Sequence, residues 1–287
     1  MGGTMNREAT CAHIALFREH LHTTKHVSSH TLRSYTSDLA LLLAFWEQEE
    51  LTAEHDFTFV RIIKRYRAML TTQKMRPSSL ARKISCFNSL IRFIASTGAD
   101  AGELITRPRV QLKTPDALSP ADITYLLETL TPEQLPTPAP YRDLSIIALL
   151  YATGIRCSEI IGIRQTDINT SAQSITIFDQ QHTHSRTVFF GARANHYLNQ
   201  YLATERPPVR SISEYLFLNH RLAPLTTRSI QRICLMFGEA LPQKRTITPH
   251  VLRQSFTVHL LQRGADPATV QELLGYTTPI SMQRYLR

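Results

Sequence analysis

The sequence predicts a mainly α-helical protein with one small β-sheet, arranged as two domains, and three observations carry that prediction. Helix starts led by proline recur: Ser119-Pro120, Thr248-Pro249, Asp266-Pro267 and Thr278-Pro279 each set an N-cap residue before proline at the first helical position. Only one good hairpin is legible, SITIF and RTVFF joined by DQQHTHS. The segment 106–118, TRPRVQLKTPDAL, is polar, holds two prolines and lacks periodicity, so it reads as a linker between domains at 1–105 and 119–287.

In chain order, Ile14, Phe17 and Leu21 mark a first helix. Leu32, Tyr35, Leu39, Leu42 and Trp46 mark a second, after Ser28-Ser29, with three-and-four spacing. A third covers about Phe59 to Leu70. A fourth starts after Pro77, buries Leu80, Ile84, Phe87, Ile91 and Ile94, and ends at Gly98. Past the linker, Asp122 sits at the capping-box position of a helix that runs to about Leu130. Tyr141 to Thr153 is nearly all apolar, which makes it the expected centre of the second domain, and Gly154 ends it. YLFLN reads as a third strand or a buried link, and Thr226 to Ala240 as another helix. Gly264 and Gly275 close the helices opened at Pro249 and Pro267.

Composition narrows the function. With 43% hydrophobic residues the 287-residue chain has enough apolar material for two cores, so disorder is not the default. The formal net charge of +9 is spread over both halves, which points to a polyanion such as nucleic acid, although a basic surface also serves solubility alone. Cys11, Cys86, Cys157 and Cys234 are far apart, with no metal-ligand spacing, and are expected as reduced, buried thiols. The polar start MGGTMNREAT has no secretory apolar core, and no apolar run approaches a membrane span; a cytoplasmic protein with no membrane partner is expected.

Two places carry chemistry. His250 and Arg253 are three residues apart at a helix start, where free N–H groups favour an anion, and Tyr285 lies beyond a tight turn on the next helix but one. Taken alone they read first as a surface pair and a packing aromatic, with a phosphate site and its nucleophile as the sharper alternative. Arg156, just past the end of the apolar helix, suits a phosphate clamp and also an ion pair with Glu159, and the two roles are compatible. In the first domain Arg33, Lys74, Arg76, Arg82 and Lys83 are candidate DNA-binding cations, with a solvated helix face as the plain alternative.

Taken together, ATGIRCSEIIGIR and TPHVLRQSFTVHLLQRGADPATVQELLGY resemble the two arginine boxes of the tyrosine recombinases, or phage integrases, and within them the Xer-like members. SSHTLRSYTSDLALLLAF and PSSLARKISCFNSLIRFI are similar to the family's helical core-binding, SAM-like domain. The resemblance implies a C-terminal tyrosine-recombinase catalytic domain that cleaves and rejoins duplex DNA through a 3′-phosphotyrosyl bond. It implies a tetramer, or paired recombinases, on two recombination sites. Arg156 and Arg253 are implied as clamps on the phosphate, His250 as the proton acceptor, Tyr285 as the nucleophile and Glu159 as the residue orienting Arg156, with no metal and no cofactor.

The sequence also departs from the family. Its usual hairpin lysine is absent, since no lysine lies between Lys113 and Lys244; Gln181 aligns there, with His182 and His184 as candidate general acids or plain turn residues. Tyr276 stands where the family has histidine or tryptophan, as a hydrogen-bond donor or a packing residue, and Gln254 replaces a common histidine. Two residues follow Tyr285, where relatives carry a tail that docks on the next subunit. The alternatives are a DNA-binding relative with weak or lost catalysis and a type IB topoisomerase-like strand-passing enzyme.

Overall fold

Apolar side chains at helical spacing build the first of two compact units, Met1–Gln111 and Leu112–Arg287, in the computed structural model. The structure describes residues 5–24, 27–52, 58–110, 114–178, 185–207, 213–276, 282 and 285. The first unit holds α1 (Arg7–Thr23), α2 (Ser29–Thr52), α3 (Phe59–Thr72) and α4 (Pro77–Ser96). Phe17 and Leu21 of α1, Leu42 and Trp46 of α2, Phe59 and Ile63 of α3, and Ile84 and Phe87 of α4 meet in one core. Each such side chain contributes about 1.5–3 kcal/mol when fully buried. The Asn6 side chain accepts the Ala9 N–H and so caps α1, while Pro77 opens α4.

The candidate DNA-binding cations of this unit divide. Arg33, Lys74, Arg76 and Arg82 are exposed, but Lys83 is only 6% exposed. Its ammonium donates to buried Asp38 at 2.8 Å, and Arg82 reaches the same carboxylate. The expectation that Lys83 faces DNA is thereby corrected: it lies on the inward face of α4, where the carboxylate compensates its lost hydration.

The second unit is ordered around α6 (Pro140–Thr153), whose Leu144, Ile146, Ile147, Leu149 and Leu150 are all buried. Before it stands α5 (Pro120–Thr124), begun by a reciprocal Ser119/Asp122 capping box and continued by a π-helical turn, Tyr125–Thr129. After it come α7 (Cys157–Gly162) and an antiparallel sheet of β1 (Ile168–Asn169), β2 (Ser174–Phe178) and β3 (Ser185–Phe189), in the order β1-β2-β3. Then follow α8 (Ala192–Gln200, continued by the π-helical Tyr201–Glu205), α9 (Thr227–Ala240), α10 (Pro249–Gln262) and α11 (Pro267–Leu273). The strongest packing of α6 is against α8 and α10, so the apolar helix is enclosed as its composition predicts.

The N-caps at Thr248 and Asp266 form as expected, accepting from Val251 N–H and Thr269 N–H. The third proline-led start, Thr278-Pro279, lies outside the described residues, as does the hairpin turn with Gln181, His182 and His184. YLFLN proves to be the buried link: Leu216, Phe217 and Leu218 are all buried, which alternation in a strand would not give, and only isolated bridges to Arg164 and Pro224 form. The third strand is instead Ile168–Asn169. Neither α7 nor α8 is expected from the sequence. Of the four cysteines, Cys86 and Cys234 are buried, Cys157 is half-buried and Cys11 is exposed, which corrects the expectation for Cys11.

Candidate active site

Gly154 decides how the site is assembled. It caps α6 at φ +60°, and a Cβ there would lie 2.4 Å from the Phe256 ring and 2.8 Å from Leu274. Only glycine lets the ends of α6 and α11 approach α10 this closely. The same closeness brings together Arg156, which follows α6, Arg253 on α10, and Tyr276, which follows α11.

Arg253 is 4% exposed, so its reading as half of a surface pair does not hold. Its Nη1 donates to the Gly154 carbonyl, Nη2 to the Leu274 carbonyl at 2.7 Å, and Nε to the Tyr276 hydroxyl at 3.3 Å. Burial lowers its pKa from the ordinary value and the Tyr276 hydroxyl opposes that shift, yet a guanidinium stays charged throughout the physiological range. His250, on the first turn of α10, is exposed. Gln254 is buried, and its amide oxygen accepts from the Asp116 N–H at 3.3 Å, a structural duty before α5.

Arg156 is the N-cap of α7, and its side chain is 42% exposed. Its Nη1 donates to Glu159 at 2.9 Å and its Nη2 to the Gly275 carbonyl at 2.9 Å. The other Glu159 oxygen accepts the Arg156 backbone N–H at 2.6 Å, so one carboxylate both caps α7 and holds the arginine. The expected Arg156–Glu159 pair is therefore present.

A residue the sequence reading passed over completes this arrangement. Arg186 on β3 donates from Nη1 and Nη2 to the two Glu159 oxygens, at 3.0 and 2.8 Å, and from Nε to the Leu273 carbonyl at 3.0 Å. Burial pushes the Glu159 carboxyl upward. The hydrogen bonds from Arg186 and the Arg156 N–H, with both positive charges, outweigh that push and hold it below its ordinary value.

Tyr276 lies between Arg156 and Arg253. Its ring centroid is 4.7 Å from the Arg253 guanidinium carbon and 5.8 Å from that of Arg156. The hydroxyl accepts from Arg253 and retains its own proton to donate, so the packing and hydrogen-bonding roles coexist. Tyr285 is half-buried and joins Tyr276 against the small cluster of Val270, Leu274 and Met282; its backbone N–H donates to the Met282 carbonyl at 2.9 Å. A groove of about 1010 Å³ opens beside Arg156, Glu159, Arg164, Thr176, Arg186 and Tyr276. Among the described residues, no group of three histidine, cysteine, aspartate or glutamate side chains is placed to hold a metal ion. Among those residues also, no helix is long and apolar enough to cross a membrane.

The Phage integrase family model matches residues 117–287, and the model for the phage integrase N-terminal SAM-like domain matches residues 14–98. The chain belongs to the phage integrase family. It is 32% identical to tyrosine recombinase XerC of Roseiflexus castenholzii, over 95% of this chain and 87% of that relative. It is 33% identical to tyrosine recombinase XerD of Staphylococcus aureus, over 91% of this chain and 88% of that one. In fold it is similar to the XerH site-specific recombinase bound to its difH substrate, with a TM-score of 0.69 at 18% identity, over 89% of this chain and 76% of the other. The integrase fold and the two-part organisation, SAM-like then catalytic, are those implied by the sequence.

Proposed function

We propose that this phage integrase, a tyrosine-type site-specific DNA recombinase, cleaves one strand of its site with Tyr285 and rejoins it to another. The tyrosine hydroxyl gives up its proton as its oxygen bonds to the scissile phosphorus. The bond to the 5′-oxygen breaks, and that oxygen takes up a proton, leaving a 3′-phosphotyrosyl link and a free 5′-hydroxyl. Attack by a 5′-hydroxyl from the partner strand reverses the step, so the phosphodiester energy is retained and no nucleotide cofactor is consumed.

The observation that carries this reading is the meeting of Arg156 and Arg253 on the ring of Tyr276, with Arg156 and Tyr276 lining one groove and Arg253 buried behind the ring, although the two arginines lie on separate helices. Two fixed guanidinium groups suit the extra negative charge of a five-coordinate phosphorus, the duty that metal ions perform in other nucleases. His250 assists removal of the Tyr285 proton, because a phenol with a free pKa of about 10 is a weak nucleophile at neutral pH. Glu159 orients Arg156, and the Tyr276 hydroxyl donates to a phosphate oxygen. The general acid is His182 or His184 of the hairpin, with Gln181 in the lysine's place.

Residues 119–287 carry this chemistry. Residues 1–105 add contacts to the duplex, through exposed Arg33, Lys74, Arg76 and Arg82. Exchange between two sites requires a tetramer or a paired recombinase, acting in the cytoplasm.

Incubation with a nicked suicide duplex carrying the recombination site tests the reading. A covalent protein–DNA adduct is expected with the wild type and not with Tyr285→Phe. Binding without any adduct would mean a DNA-binding relative without catalysis, and an adduct with relaxation but no exchange between two sites would mean a topoisomerase-like enzyme.

A further inference from the structure

Arg186 enters the site from β3 at the inward register position, between exposed Ser185 and Thr187. Its fork is the only described side chain besides Arg156 that donates to Glu159, and it engages both carboxylate oxygens. Its third donor, Nε, holds the Leu273 carbonyl. Gly275 passes close by, where an added Cβ would be 3.2 Å from Nη1.

A pattern follows along the end of α11. The Leu273 carbonyl takes Arg186, the Leu274 carbonyl takes Arg253, and the Gly275 carbonyl takes Arg156. Successive carbonyls at a helix C-terminus have no intrahelical partner and carry the negative end of the helix dipole, so they attract cations. Three guanidinium groups from β3, α10 and the start of α7 are thus registered against one turn of backbone.

The charges matter as much as the geometry. Glu159 lies 2.9 Å from Arg156 Nη1, so the two alone form a neutral pair with little attraction for a phosphate. With Arg186 on the same carboxylate, the trio keeps one net positive charge, on the side where Arg156 is open to the groove. Arg186 itself has all three kinds of nitrogen engaged and cannot release a proton, so it is not the missing general acid.

We propose that Arg186 is a positioning residue for strand cleavage: it neutralises Glu159 so that the charge of Arg156 remains available to the scissile phosphate, and it fixes the end of α11 that carries Tyr276. This rests on the recombinase reading above. Single-turnover cleavage of the suicide duplex by wild type, R186M, R186K and the double variant E159Q/R186M tests it, with melting curves and DNA binding measured alongside.

R186M is expected to cleave about 10- to 100-fold more slowly, the loss of a charged hydrogen-bonded partner, while still binding DNA. R186K, which keeps the charge and loses the fork, should fall between R186M and wild type. The double variant should cleave faster than R186M, because removing the carboxylate's charge releases Arg156 again; a purely structural arginine would give no such recovery. Wild-type rates in R186M, or a double variant as slow as R186M, overturn the proposal while leaving the recombinase reading intact. Should R186M fail to fold, R186K cleaving at the wild-type rate overturns it on its own. Failure of the wild type to form any adduct overturns both.

Discussion

Two clusters in this chain each gather cations on one carboxylate, and they differ in what the cations do next. In the first unit, Asp38 and Lys83 are shut into the core, with side chains 3% and 7% exposed, and the ammonium is spent on its partner. In the second, Glu159 is nearly as enclosed at 12%, but Arg156 remains 42% open and lines a groove. The first arrangement joins α2 to α4 through Lys83 and leaves Arg82, 48% exposed, on the outer surface; the second leaves a held, oriented charge lining a groove that an anion can enter. A count of lysines and arginines treats both alike, so it is the position of the remaining donors that separates a structural cation from a working one.

The largest effect expected from this contrast is on folding. Asp38→Ala leaves the Lys83 ammonium buried without its carboxylate, which costs about 3–5 kcal/mol, and denaturant melting should show that loss. A change below about 1 kcal/mol would mean that the cluster does not hold the unit together. Next comes Arg156→Ala, expected to slow single-turnover cleavage by about 10²–10³-fold with DNA binding retained. A rate within a few-fold of wild type would move Arg156 to the structural side of the comparison.

Acid sharpens the contrast from the second cluster. The folded-state carboxyl of Glu159 lies below its unfolded value of about 4.3, so its contribution is fully present above that pH and is lost as pH falls through the folded pKa. Thermal melting of wild type and Glu159→Gln from about pH 2 to about pH 7 should therefore show a gap that narrows toward the acid end. A gap independent of pH would contradict this. The smallest effect belongs to Lys83→Met. Asp38 keeps Arg82, the volume is nearly conserved, and about 1.5 kcal/mol or less should be lost. The dependence of log DNA affinity on log salt should stay unchanged in Lys83→Met and become shallower by about 1 in Arg76→Ala.

The elements that begin with N-cap and proline were legible because each signal is local: Ser119-Pro120, Thr248-Pro249 and Asp266-Pro267 form where they were read. α8 and its continuation escaped because, of the buried positions Ala194, Tyr197, Leu198 and Tyr201, three are small or polar-tipped and Leu198 alone is strongly apolar, although they do recur at helical spacing. In the site, His250 and Arg253 share a visible local motif, yet the burial of Arg253 depends on Gly154 and Leu274, which are distant along the chain. Arg186 had one usable signal. Strand alternation in SRTVF puts it on the same face as buried Val188, and a charged residue at an inward register position calls for a carboxylate. Which carboxylate it meets is a tertiary fact that periodicity does not contain.

The account stands on Arg156 and Arg253 acting on a single phosphate, and a crystal structure of the chain on a duplex carrying the scissile phosphate tests it most directly. Both guanidinium groups should lie about 2.7–2.9 Å from non-bridging oxygens of the same phosphorus. A phosphate contacted by neither, with Arg156 still bound to Gly275 and turned from the strand, would contradict it.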